Sequence, residues 1–211
     1  GGTTVIMRYT LRLLAAQQFT RAATLICACE AIRKKLNGVN LGKEKISIGL
    51  WIGGEHTPNH ISGAESSART LLGKLDGNTN ATRVTPQNLE YRKERYYKFQ
   101  LLKCPWCGTK MVKEVQQVGE RKQLVGDWGA GMLIKPERFR FHCPQEDCAY
   151  EDELPVQVVD DELYRNPPTL LFATVDKFAM MAWKAQIKAF FAADEGNRNR
   201  APELIIQDEL H

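Results

Sequence analysis

The 211 residues are 43 % hydrophobic and 26 % charged, an ordinary globular balance that excludes a disordered chain and allows one domain of normal size, or one domain with an inserted unit. No apolar run reaches the ~18 residues of a membrane-spanning helix, so a helical membrane protein is excluded. The net charge of +4 comes from 29 bases and 25 acids and neither requires nor forbids a polyanionic partner.

Thr-Val-Ile-Met-Arg-Tyr (4–9) predicts a short strand, and Thr10 stands where an N-cap would precede a helix over 11–36. Leu11, Leu14, Ala15, Phe19, Ala22, Ala23, Ile26 and Ile32 recur there mostly at three- and four-residue steps. Arg33, Lys34 and Lys35 fall in the last turn, and Asn37-Gly38 stops it. Residues 46–52 predict a second strand, ended by Gly53-Gly54. The polar stretch 55–90 predicts one helix around 62–75 and a loop over 76–88.

From Tyr96 to about Val159 short β-type runs (96–102, 110–115, 138–142) are interrupted by Cys, Gly and Pro, the texture of a small separate unit. Pro167-Pro168 then leads into an apolar strand at 169–175. A helix over 176–193 is expected with Phe178, Met181, Ala182, Ala185, Ala189 and Phe190 on one face. After a polar turn, Leu204-Ile205-Ile206-Gln207 predicts a last, central strand ending in Asp208-Glu209-Leu210-His211. Strands without alternation, separated by amphipathic helices, predict an α/β fold with a parallel sheet buried on both faces. The expected division is 1–95 and 160–211 for the sheet lobe and 96–159 for the insertion.

Charge is segregated. Residues 83–122 hold ten bases and four acids, whereas 144–162 hold eight acids and no base, which reads as two solvated faces that complement each other or as a nucleic-acid patch.

The six cysteines are too few for a disulfide scaffold, and no secretory leader opens the sequence, so a reducing, cytoplasmic setting is expected. Cys104-Pro-Trp-Cys107-Gly108 has the spacing with which a turn curls around one metal ion, and Cys143 and Cys148, with four residues between them, supply a looser second pair. A closed four-thiolate zinc site is expected, structural because it leaves no position for water or substrate; unligated thiols are the alternative, with His142 as a substitute ligand. Tyr96, Tyr97, Phe99, Trp106 and Trp128 either fill the small core of this unit or stack on unpaired bases. Cys27 and Cys29, two apart on the first helix, cannot chelate together and are expected to be buried thiols.

In open parallel sheets ligands gather at the carboxyl ends of strands, where Asp208 and Glu209 would fall. Two adjacent carboxylates there can divide phosphoryl-transfer chemistry, one holding Mg2+ and the other orienting water. The closing 204–211 segment resembles motif II of the superfamily 2 helicases, the DEAD/DEXH box. Arg12-Leu13-Leu14-Ala15-Ala16-Gln17 resembles motif Ia, Gly53-Gly54 the glycine pair after the next strand, and Thr174-Val175-Asp176-Lys177 motif Ib. Residues 7–14, 173–179 and 207–211 are similar to the DrmA family, the helicase-like component of the bacterial DISARM anti-phage system.

The resemblance implies a RecA-like lobe with a zinc-ribbon-like insertion, part of an ATP-dependent helicase or translocase acting on nucleic acid, DNA rather than RNA, with defence-system companion subunits. It implies that Asp208 holds Mg2+ through water, Glu209 activates the hydrolytic water and His211 couples nucleotide state to the track. Thr10, Arg12, Gly53, Gly54, Thr174 and Lys177 would face one strand's phosphates, although Arg12 and Lys177 alone read as salt-bridged surface cations and the glycines as a turn. The 211 residues contain no G-x-x-x-x-G-K-[ST] loop. The chain therefore reads as a piece of a longer protein, with the phosphate loop before Gly1 and the second lobe after His211, and is expected to be inactive by itself. The competing class is a non-enzymatic zinc-binding nucleic-acid or protein adaptor.

Overall fold

In the computed structural model, which describes residues 2–36, 40–76, 85–125, 131–193 and 199–208, the chain opens with strand β1 (Val5–Tyr9), helix α1 (Arg12–Lys35) and strand β2 (Ile48–Trp51). Helices α2 (Ala68–Asp76) and α3 (Pro86–Tyr96) lead to two small hairpins, β3 (Glu114–Val118) with β4 (Arg121–Val125) and β5 (Met132–Ile134) with β6 (Phe139–Phe141). Strand β7 (Val156–Gln157), helix α4 (Asp160–Arg165), strand β8 (Leu170–Thr174), helix α5 (Val175–Ala179) and strand β9 (Leu204–Gln207) complete the order. Strands β7, β2, β8, β1 and β9 lie side by side in that sequence, every neighbouring pair parallel. This is the expected α/β architecture.

The central strands lack alternation because both of their faces are covered. Tyr9, Ile48, Leu50 and Phe172 point to one face, where α1 lays down Ala15, Phe19, Ala23 and Cys27 at four-residue steps. The small residues of that row let the helix approach the sheet closely. Ile6, Trp51, Leu171 and Ala173 point to the other face, against Leu163, Ile187 and Phe190. Gly49 shares that second face, and a Cβ there would lie 2.5 Å from Leu163 Cδ2 and 2.6 Å from Pro168 Cγ. Gly49→Ala is therefore expected to destabilise the chain by roughly 1–3 kcal/mol through overpacking of α4, read as a lower urea midpoint with unchanged slope.

Four expectations are corrected. Helix α1 begins at Arg12 with Leu11, not Thr10, at its N-cap, and no side chain caps it. The loop expected over 76–88 gives way to α3, whose N-cap Thr85 forms a capping box with Asn88, with Pro86 in the first turn; residues 77–84 lie outside the described residues. The helix expected over 176–193 is α5 followed by two 3-10 stretches, Met180–Ala182 and Ala185–Phe191. Residues three apart eclipse in a 3-10 helix, which aligns Ile187 with Phe190 against Trp51, while Met181, Ala182 and Ala185 face solvent. Strand β9 is an edge strand among the described residues, with Leu204, Ile205 and Ile206 exposed, rather than a central one.

The cysteine-bearing stretch shares the main core: Phe99, Phe139, Phe141 and Tyr150 belong to one buried cluster with Phe19 and Ile48, and β7 pairs with β2. Among the described residues no helix is long and apolar enough to cross a membrane.

Candidate functional site

The four paired cysteines converge. The Sγ atoms of Cys104, Cys107, Cys143 and Cys148 all lie within 4.8 Å of one another, and those of Cys107 and Cys143 are 3.4 Å apart. A tetrahedral zinc ion with Zn–S bonds of ~2.3 Å separates its sulfurs by about 3.8 Å, so the donor set fits such an ion. Two tight turns make the fit possible. Gly108 N donates to Cys104 O, with Gly108 at φ +79°, and Cys148 N donates to Gln145 O after Asp147 at φ +66°. Burial works against ionisation at Cys107, but its hydrogen bonding with Thr109 and the neighbouring thiols outweighs it and brings the thiol down to about 6. His142 is not in the cluster; its backbone amide donates to Gly131 O. Cys27 is a buried thiol, pushed up to about 12 by burial and by Cys104 and Cys148, whereas Cys29 is exposed, contrary to expectation, because it faces away from the sheet.

Of the aromatic residues singled out in this unit, Phe99 is in the buried core, with Tyr96 and Tyr97 packed against it. Phe99 stacks on Phe139 at 5.3 Å, Tyr97 meets Phe99 edge-on, and Trp106, 40 % exposed, meets Tyr150 edge-on. Tyr96 lies under the Lys74 and Arg95 cations. Trp128 lies outside the described residues.

A second site lies along the carboxyl ends of the parallel strands. Strand register sets Arg8 beside Gln207, Tyr9 beside Thr174 and Trp51 beside Ala173. Four corners therefore follow one another along one edge of the sheet: Gly53-Gly54 after β2, Thr174 at the end of β8, Thr10 after β1 and Asp208 after β9. Arg12 ties three of them together, bonding Asp176 at 2.8 Å and Glu55 at 3.3 Å. Both acids are exposed, so these pairs contribute little to stability and leave the guanidinium exchangeable. Asp208 N donates to Arg8 O at 2.9 Å, and its carboxylate lies close enough to Tyr9 to add to the effect of burial in raising that phenol. Gly53 has φ +104°, and a Cβ on Gly54 would meet Asn59 Nδ2 at 2.9 Å. The Thr174 hydroxyl is buried without a hydrogen-bond partner among the described residues. Glu209 and His211 lie outside the described residues.

Lys177 is buried. Its ammonium bonds Asp160 Oδ2 at 2.6 Å and Asn59 Oδ1 at 3.2 Å, over the ring of Trp51. The helicase resemblance implies a phosphate contact for Lys177 and the residue alone a salt-bridged surface cation; in the fold it is salt-bridged, but buried, to Asp160.

No family model matches the chain. The DISARM protein DrmA of Bacillus paralicheniformis is 31 % identical over 240 aligned residues, which cover 100 % of this chain and 19 % of that relative. The chain is similar to DrmA throughout. It spans about a fifth of the length of DrmA, and the similar stretch takes in both the cysteine centre and the carboxyl edge of the sheet.

Asp160 carries no local signal in the sequence that sets it apart from the acidic run around it. It is fully buried and accepts also from Trp51 Nε1 at 3.3 Å and Tyr164 OH at 3.2 Å. Glu162, two residues on, is equally buried and bonds Arg138, Arg165 and the Phe139 amide. The acidic stretch is thus not simply a solvated face, and its described ion pairs run to Lys45, His60, Arg138, Arg165, Lys177 and Lys184 rather than to the basic stretch 83–122.

Proposed function

We propose that this chain is part of a phage-defence motor: an ATP-dependent helicase or translocase whose whole protein couples hydrolysis to movement on DNA. The observation that carries the reading is the order of the corners along the sheet edge, Gly53-Gly54, Thr174, Thr10-Arg12 and Asp208, in a chain similar throughout to a DISARM protein. Backbone amides at tight corners with a few exchangeable cations suit phosphates without reading bases, which gives sequence-independent, salt-sensitive binding. In this reading Arg12, Thr10, Gly53, Gly54 and Thr174 line the track, and Lys177 holds the glycine corner from beneath through Asn59.

Asp208, partly exposed at the end of β9, offers a carboxylate for hydrated Mg2+, which with ATP would supply charge neutralisation of the transferred phosphoryl group. Glu209 orients and deprotonates the attacking water, and His211 links that site to the track. Zinc at the four cysteines is structural. The setting is cytoplasmic, with companion defence subunits.

In the full-length protein, Glu209→Gln is expected to lower ATP turnover about a hundredfold while ATP binding persists, measured by phosphate release and nucleotide titration. Unchanged turnover would remove the assigned role. The adaptor reading draws on the metal centre alone and predicts no turnover in the unaltered full-length protein.

A further inference from the structure

The glycine corner is held from two sides. From below, Asn59 lies between Gly54 and the Lys177 ammonium. From above, the segment entering the cysteine unit reaches over it: Lys98 Nζ donates to Gly54 O at 3.2 Å, and Gln100 Nε2 donates to His56 O at 2.9 Å. Within the corner, the amides of His56 and Thr57 donate to Gly53 O at 2.9 and 3.0 Å.

Gln100 carries φ +60°, in the left-handed region that side chains other than those of Gly, Asn and Asp rarely adopt. Fully buried Phe99 on one side and Leu101 on the other impose it, and Tyr97 OH bonds Leu101 O. Four residues after Gln100 comes Cys104, whose amide donates to Thr109 O across the metal turn. The backbone conformation that aims the Gln100 amide at the corner is thus anchored at one end by packing and at the other by the cysteine cluster.

We propose that Lys98 and Gln100 are positioning residues through which the four-cysteine centre sets the conformation of the Gly53-Gly54 corner, so that metal loading orders the corner as well as the unit that binds it. The corner's role as a nucleic-acid contact rests on the function proposed above; the coupling itself does not. Zinc would fix Cys104, Cys104 would fix the left-handed turn at Gln100, and Gln100 and Lys98 each hold one carbonyl of the corner.

The test is hydrogen–deuterium exchange on the full chain, with metal content measured for every sample. In the zinc-loaded double variant Lys98→Met/Gln100→Gly, in which glycine accepts the positive φ without strain, the His56 and Thr57 amides are expected to exchange about tenfold faster. The peptides around 104–111 and 143–150 keep their protection. Lys98→Arg, which retains a donor, is expected to stay close to the parent. Stripping zinc from the parent with a chelator should loosen the same two amides while β8 stays protected. Unchanged exchange at His56 and Thr57 in the double variant would overturn the proposal, as would chelation that loosens the cysteine peptides and leaves the corner untouched. Where chelation also unfolds β8, the double variant decides. A corner that loosens while affinity for a single-stranded oligonucleotide stays constant supports the coupling and counts against the nucleic-acid reading of the corner.

Discussion

Replacing Asp160 with alanine is expected to cost about 3–5 kcal/mol of stability, read as a fall in the urea midpoint at unchanged slope. The carboxylate has no exposed surface, and the Lys177 side chain opposite it is 11 % exposed. Its removal leaves an ammonium, an indole N–H and a phenol in the interior with one acceptor fewer. Lys177→Met should cost less than Asp160→Ala, because it leaves the carboxylate two neutral donors and Lys184 at 3.9 Å. Combining the two substitutions should be milder than the sum of the single losses, since neither charge is then left alone. The sign with pH is also fixed. Burial already draws Lys177 below the ordinary lysine range, and the Asp160 charge opposes that pull. Without the carboxylate the folded pKa drops further, the unfolded chain binds more protons in the window up to the unfolded value, and stability there rises with pH. The deficit of Asp160→Ala should accordingly narrow as pH climbs toward the ordinary lysine range, and a deficit that widens would contradict a buried unpaired ammonium.

That cluster also shows where sequence reading stops. The sheet is legible because 48–51 and 170–174 are apolar without alternation, and α1 because its apolar residues recur mostly at three- and four-residue steps; both signals are local. The cysteine centre was legible because ligand spacing within each pair is local too, and a shared metal accounts for bringing the pairs together. Asp160 and Glu162 look like any other members of an acidic run. What satisfies them in the interior is Arg138, twenty-four positions before Glu162, and Lys177, seventeen positions after Asp160 and beyond the next strand, pairings that only the fold creates. Lys177 shows the same limit, since its motif says nothing about the carboxylate it pairs with. Helix α3 carries its own start signal, Thr85-Pro86 with Asn88 at the third helical position; the polar residues before it have the composition of a loop. The 3-10 stretch 185–191 carries no such signal, because its apolar residues fit both periods and Trp51 selects between them.

Cys143→Ser, or zinc removal from the parent, is expected to have the largest effect of all on the cysteine-bearing unit. Purified without added metal, the chain should carry one equivalent of zinc, and the serine variant should carry none. Structural zinc binding is worth ~10–16 kcal/mol in small metal-dependent modules at neutral pH, and that free energy is folding free energy. Here the local elements are short: β5 and β6 have three residues each and β3–β4 is a largely exposed hairpin. Hairpins of that size are marginal without a packed partner. What they pack on is the ring cluster of Phe99, Phe139, Phe141 and Tyr150, continuous with the core beneath α1. Tyr150 also donates to Cys27 O on α1. Loss of the metal should therefore reach α1 through Tyr150 and β7 through the shared core, giving a lower and broader thermal transition and not merely the silent release of a peripheral ribbon. Two outcomes would break this account. Metal-free protein as purified would refute the site, and a zinc-loaded protein whose transition is indifferent to chelation would refute its structural role.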